Sequence, residues 1–179
     1  WTLVAFAILG ISTQVFLPYL IIYVQRYLRI EAYALVLAVV LTGAAVISVL
    51  GGRIIVRVGK VAFMLPAAGV YLAGLLLMVF ARGLVPVMGA GLVMMSGFML
   101  TMAAIGAAVR DYSPVDRVGM VQGLRMIAMV LIPMVIGPFI GAAVIRGADE
   151  YYEDLGQLKQ VPTPGIFVAA AVVILFIVI

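Results

Sequence analysis

The sequence has no cysteine and no histidine, and only 10% of its 179 residues are charged. Without those two side chains there is no thiolate nucleophile, no imidazole ligand, no His-based triad and no disulfide. Acidic residues are equally scarce where they would matter most. All seven fall in connections, and none lies inside a long apolar run. Coupling to H+ or Na+ draws on a buried carboxylate, so no coupling-cation site and no other cofactor is expected within this sequence. The acids Asp149, Glu150, Glu153 and Asp154 form one cluster, which reads as a solvated amphipathic loop with Tyr151, Tyr152, Leu155 and Leu158 at the interface rather than as a metal site.

What is present is apolar. Hydrophobic residues make up 67% of the chain and its mean hydropathy is +1.34, whereas a soluble domain is about half apolar and about a quarter charged. This composition defines an integral, multi-pass membrane protein, with the plasma (inner) membrane as the expected location. The net charge of +4 sits in short turns between apolar stretches. It therefore points to anionic lipid headgroups and not to nucleic acid.

Six stretches are long enough to cross a bilayer, near 2–24, 32–51, 61–81, 84–109, 115–145 and 163–179. Backbone polar groups cannot stay unpaired in hydrocarbon, and no stretch alternates with period two, so each is predicted to be a helix. The expected fold is an all-α, six-helix transmembrane bundle. Three spans followed by three make an odd unit repeated, so the second triplet enters the membrane from the opposite side, a 3+3 inverted repeat. The chain opens at Trp1 inside an apolar run and stops at Ile179 within another, which reads as one transmembrane domain of a longer protein. Turn 52–60 is basic and the 146–163 connection acidic, which puts the first in the cytoplasm and the second outside.

The most informative stretch runs from Val109 to Gly141. A charged hinge, Arg110 to Arg117, separates two apolar spans; Ser113 is placed to cap a helix starting at Pro114, with Asp116 in its first turn. Beyond it, Gly119 and Gly123, then Gly137 and Gly141, recur at helical spacing and share one face of an unbroken helix, a stripe suited to close helix packing. Within the first span Gln14 lies near mid-membrane, and Pro18 predicts a break beside it. Ser12, Phe16, Tyr19 and Tyr23 share a face nearly opposite Gln14. Thr101 sits among methionines in the fourth span, where its hydroxyl can also satisfy its own helix. Arg125, about three turns into the fifth span, is either a gate or cavity cation or a side chain snorkelling to headgroups.

These motifs resemble the major facilitator superfamily. Gly52–Lys60, GRIIVRVGK, is similar to that family's G-x-x-x-D-R-x-G-R/K turn through Gly52, Arg57, Gly59 and Lys60, with Val56 replacing the acid. Pro114, Arg117, Gly119 and Gly123 resemble the loop before the penultimate helix, and Gly137-Pro138-Phe139-Ile140-Gly141 a G-P-x-x-G of that helix. Pro18-Tyr19 and RDYSPVDRVG resemble the glycoside-pentoside-hexuronide cation symporters within it. The resemblance implies the C-terminal half of a twelve-helix carrier, partnered by an N-terminal six-helix half that holds the H+ or Na+ site. It also implies a small, sugar-like solute moved by alternating access. Gln14, Tyr19, Tyr23 and Thr101 are then the expected solute contacts. Arg53, Arg57, Lys60, Arg110, Asp111, Asp116, Arg117 and Arg125 form the expected cytoplasmic gate. A noncatalytic membrane subunit anchoring a partner stays open, and a membrane-embedded enzyme would have to work without His, Cys or paired carboxylates.

Overall fold

A computed structural model describes residues 1–113, 118–146, 151–154 and 157–177. Helix α1 covers Thr2–Ile22, α2 Tyr33–Val58, α3 Lys60–Phe80, α4 Leu84–Asp111, α5 Val118–Met126, α6 Ile132–Ile145 and α7 Gly165–Leu175. A five-residue π-helical stretch, Tyr23–Tyr27, extends α1, and another, Ile127–Leu131, joins α5 to α6 as one rod. Five helices are long and apolar enough to cross a membrane, and α7 is a shorter apolar helix. The chain is an all-α membrane bundle.

Several expectations need correction. The helix does not break at Pro18, which stays inside α1. The irregularity falls one turn later, in the π-helical stretch, where an extra residue per turn relieves the ladder. Helix α2 runs beyond residue 51 to Val58, so Arg53 and Arg57 lie on its last turns and not in a loop. The turn itself is essentially Gly59, whose φ of 99° favours glycine, before α3 begins at Lys60. Ser113 Oγ donates to the Val109 carbonyl at 2.6 Å, closing the end of α4, and the helix start that it is expected to cap lies outside the described residues. Pro114, Asp116 and Arg117 lie outside the described residues. The acidic connection contains a hairpin, β1 (Tyr151–Asp154) against β2 (Gln157–Gln160), antiparallel with Tyr151 opposite Gln160.

Packing follows the repeat. The α5–α6 rod and α7 both pack on α1, while α2 and α3 both pack on α4. Helix α3 meets α7, and lighter contacts join α2 to α3 and α6 to α7. Exchanging the first three spans for the last three maps this set of contacts onto itself. Helices α1 and α4 are thus equivalent and central. The two outlying spans are equivalent too, each with 22% of its most apolar window buried, against 44% for the first span and 56% for the fourth.

Glycines set the closest approaches. A Cβ on Gly97 would lie 2.6 Å from the Tyr71 Cα, and Gly74 lies against the Met94 backbone, so α3 and α4 touch main chain to main chain. The main polar knot of the core ties α1 to α3 and α7. Ser12 Oγ donates to the Ala170 carbonyl at 2.8 Å and Thr13 Oγ1 to the Leu9 carbonyl at 2.9 Å. With both hydrogens used, the Tyr71 hydroxyl is left to donate to Ser12 (3.2 Å) or Thr13 (3.3 Å).

Candidate solute cleft and turn cluster

Two hollows flank the crossing of α1 and α4. One, of about 250 Å³, lies between α1, α2 and α4 and is walled by apolar side chains such as Leu20, Val36, Val40 and Met94. The other, of about 160 Å³, lies between α1, α4 and the π-helical stretch of the fifth span, lined by Phe6, Gly10, Thr13, Gln14, Leu17, Phe98, Met102 and Met129. The repeat exchange carries one set of walls onto the other. They differ in chemistry, because only the second hollow has a free polar group. The Gln14 carboxamide is half-buried there and makes no side-chain hydrogen bond among the described residues. Glycine at position 10 keeps this wall thin, since a Cβ would lie 3.3 Å from the Met129 carbonyl oxygen and 3.1 Å from the Pro133 ring.

Of the four expected solute contacts, only Gln14 lines this cleft. Tyr23 is fully buried, stacked on Tyr27 with ring centroids 5.1 Å apart and edge-on to Phe167 at 5.0 Å. It keeps the face it shares with Ser12 and Phe16, whose ring also meets Phe167, and it lines neither hollow. Thr101 is also fully buried and spends its hydroxyl on the Gly97 carbonyl at 2.7 Å, the satisfaction of its own helix noted above. Tyr19 is half-buried and donates to the Pro138 carbonyl at 3.1 Å, clasping α6.

The glycine stripe divides. A Cβ on Gly137 would lie 2.8 Å from the Gln14 carbonyl carbon, and one on Gly141 2.5 Å from Tyr19 Cε2, so this pair holds α6 against α1. A Cβ on Gly119 or Gly123 would meet nothing within 4 Å. The expectation of one packing face assumed an uninterrupted α-helix. The π-helical stretch between the two pairs inserts a residue and rotates one pair away from the other by roughly 100°.

The expected gate residues also separate. Lys60 Nζ forms an ion pair with Asp111 Oδ2, bolting the start of α3 to the end of α4. Arg53, Arg57 and Arg110 are exposed at the same end and make no ion pair among the described residues. Arg125 does not join them. Its guanidinium is directed inward, with Cζ 5.3 Å from the centroid of the Phe6 ring, and Nη2 would be 3.7 Å from a Cβ on Gly106. At the opposite end Arg26 stands over the Tyr152 ring at 5.9 Å and Arg82 over Tyr27 at 5.5 Å, drawing the hairpin and the start of α4 onto the end of α1.

Phe6, Gly10 and Tyr71 escape a reading of the sequence. Phe6 and Gly10 carry no signal in an apolar helix, whereas a phenol in mid-span, as at Tyr71, marks a group that must find a partner. No group of three or more metal-ligating acids occurs among the described residues.

An inverted pair of three-helix units around two central spans is the architecture of a membrane transporter domain. Residues 2–179 match the family model of the Major Facilitator Superfamily, and the chain belongs to that family of membrane transporters. No curated protein matches the chain.

Proposed function

We propose that this chain is the C-terminal half of a twelve-helix secondary active carrier that moves a small polar solute by alternating access. The observation that carries the reading is the exchange symmetry of the helix contacts. It is the three-plus-three plan of one half of such a carrier, with a hollow on either side of the α1–α4 crossing, and the two six-helix halves rock about the central site. Gln14 is the group that holds the solute from this half. The lightly buried spans two and five offer the surfaces for the N-terminal half, which supplies the H+ or Na+ site. Gly119 and Gly123, open in this chain, permit a close helix approach there.

The Lys60–Asp111 pair with Arg53, Arg57, Arg110, Asp116 and Arg117 forms the cytoplasmic face that closes against the other half in the outward-open state. Within the family, Pro18-Tyr19 and Arg110–Gly119 favour the sugar-cation symporters, and the plasma membrane as location. The test is solute counterflow in proteoliposomes containing the full-length protein. Labelled hexose or hexuronide should accumulate transiently against unlabelled solute inside. Protein that is folded and inserted, yet exchanges neither these nor any other small polar solute, would refute the reading.

A further inference from the structure

Among the described residues, Arg125 holds the one cation that the bundle directs onto a buried ring of its core. It lies seven residues, about 10 Å, along the rod from Val118, and it faces Phe6 of α1 and Gly106, which is five residues before the end of α4. A snorkelling arginine would reach out to the headgroups. This one lies instead over a ring that is 1% exposed, beside Gly106, where a Cβ would lie 3.7 Å from Nη2, an ordinary contact. Asp111, the acid nearest in the described sequence, is committed to Lys60, and no described carboxylate pairs with Arg125. Held among the described residues by an aromatic face alone, the guanidinium keeps its forked donors available for an incoming anion. The Phe6 ring beneath it is also a wall of the Gln14 cleft.

We propose that Arg125 is the anion-recognising residue of this cleft, so that the solute bears a carboxylate or phosphate group held by Arg125 while Gln14 hydrogen-bonds its neutral part. This rests on the carrier reading above. Cation–π contact with Phe6 keeps the guanidinium poised at the turn-cluster end of the cleft, and arrival of the anion draws it off the ring. A positive charge unpaired at this depth is costly, and the solute's charge offsets that cost on each cycle.

The test uses the full-length protein purified in dodecyl maltoside, with sodium acetate and sodium phosphate as probes, sodium chloride at matched ionic strength as control and acetamide as the uncharged analogue. At about 100 mM, a site with a Kd of about 10 mM should raise the melting temperature by about 3 °C with acetate or phosphate, and not with acetamide. Arg125→Gln should weaken the apparent affinity about tenfold or more, and Arg125→Lys should retain part of it. Melting in chloride verifies that both variants are folded. An equal shift in Arg125→Gln would overturn the proposal, as would a shift seen only with added phosphatidylglycerol, which would assign the residue to lipid headgroups. A shift that emerges only after Asp116→Asn would likewise overturn it, by showing an internal partner. In proteoliposomes, solute exchange unaffected by Arg125→Gln overturns this proposal and leaves the carrier standing. Arg125-dependent acetate binding in a protein that exchanges nothing overturns the carrier reading and the solute's part in the proposal with it.

Discussion

Gly137 rests on the backbone of Gln14: a Cβ there would lie 2.8 Å from the Gln14 carbonyl carbon. The residue that gives the cleft its amide is therefore fixed in place by the closest approach of α6 to α1. Backbone cannot retreat as a flexible side chain can, so Gly137→Ala should cost about 2 kcal/mol. Gly119→Ala, which meets nothing within 4 Å, should be neutral or stabilise α5 by up to about 1 kcal/mol. Thermal unfolding of the two variants in detergent checks the contrast. Equal effects at the two positions would contradict the rotation that the π-helical stretch imposes between them.

The Tyr71 hydroxyl is a shared donor to Ser12 and Thr13 in a fully buried site. Tyr71→Phe should destabilise the bundle by about 0.5–1.5 kcal/mol while leaving solute affinity unchanged, because Tyr71 does not line the cleft and Thr13, which does, keeps its bond to the Leu9 carbonyl. A double-mutant cycle with Ser12→Ala should show a coupling of about 0.6 kcal/mol. Strictly additive effects would mean that the hydroxyl pair contributes nothing as a pair.

The fold was legible in the sequence because hydrocarbon leaves the backbone few choices. The helical state and the three-plus-three order follow from apolar runs, and the helix contacts repeat in that order. Of the six expected spans, however, five are of crossing length and the sixth is the shorter α7 among the described residues. Side-chain destinations were less legible. Helical spacing separates Gln14 from Ser12, Phe16 and Tyr23, and the structure keeps them apart, with the last three fully buried. Which face meets a cavity depends on neighbours that spacing along one helix does not specify. The π-helical stretch of the fifth span then shifts the phase, separating Gly119 and Gly123 from Gly137 and Gly141. Arg125 shows another limit: its distance into the span was readable, but its inward direction is set against Phe6 of another helix.

Gln14 and Thr101 provide a matched test of the cleft. If Gln14 bonds the solute, Gln14→Ala should raise the transport KM about tenfold, equivalent to about 1.4 kcal/mol of lost binding. Thr101→Val should leave KM unaltered, since that hydroxyl already bonds the Gly97 carbonyl. Initial-rate uptake in proteoliposomes separates the two. A Thr101→Val variant with raised KM, beside an unaltered Gln14→Ala, would move the solute site to the fourth span.

The Lys60–Asp111 pair tests the turn cluster. Its side chains are 36% and 52% exposed, so solvent screens the attraction and the pair should contribute no more than about 1 kcal/mol to stability. A role in closing the cytoplasmic face would show in kinetics instead. Asp111→Asn should slow transport several-fold with little change in melting temperature, because it loosens the closed face without touching the core. Asp111→Lys should be worse, placing a third cation beside Lys60 and Arg110, and Lys60→Asp combined with Asp111→Lys should recover most of the rate. Rate and melting temperature measured across the four proteins decide the matter. Parent-like rates in both single variants would reduce the pair to a surface contact, and parallel losses of rate and stability would make it a structural bolt between α3 and α4. Recovery by the swapped pair at unchanged stability is the result that a charge-coupled gate requires.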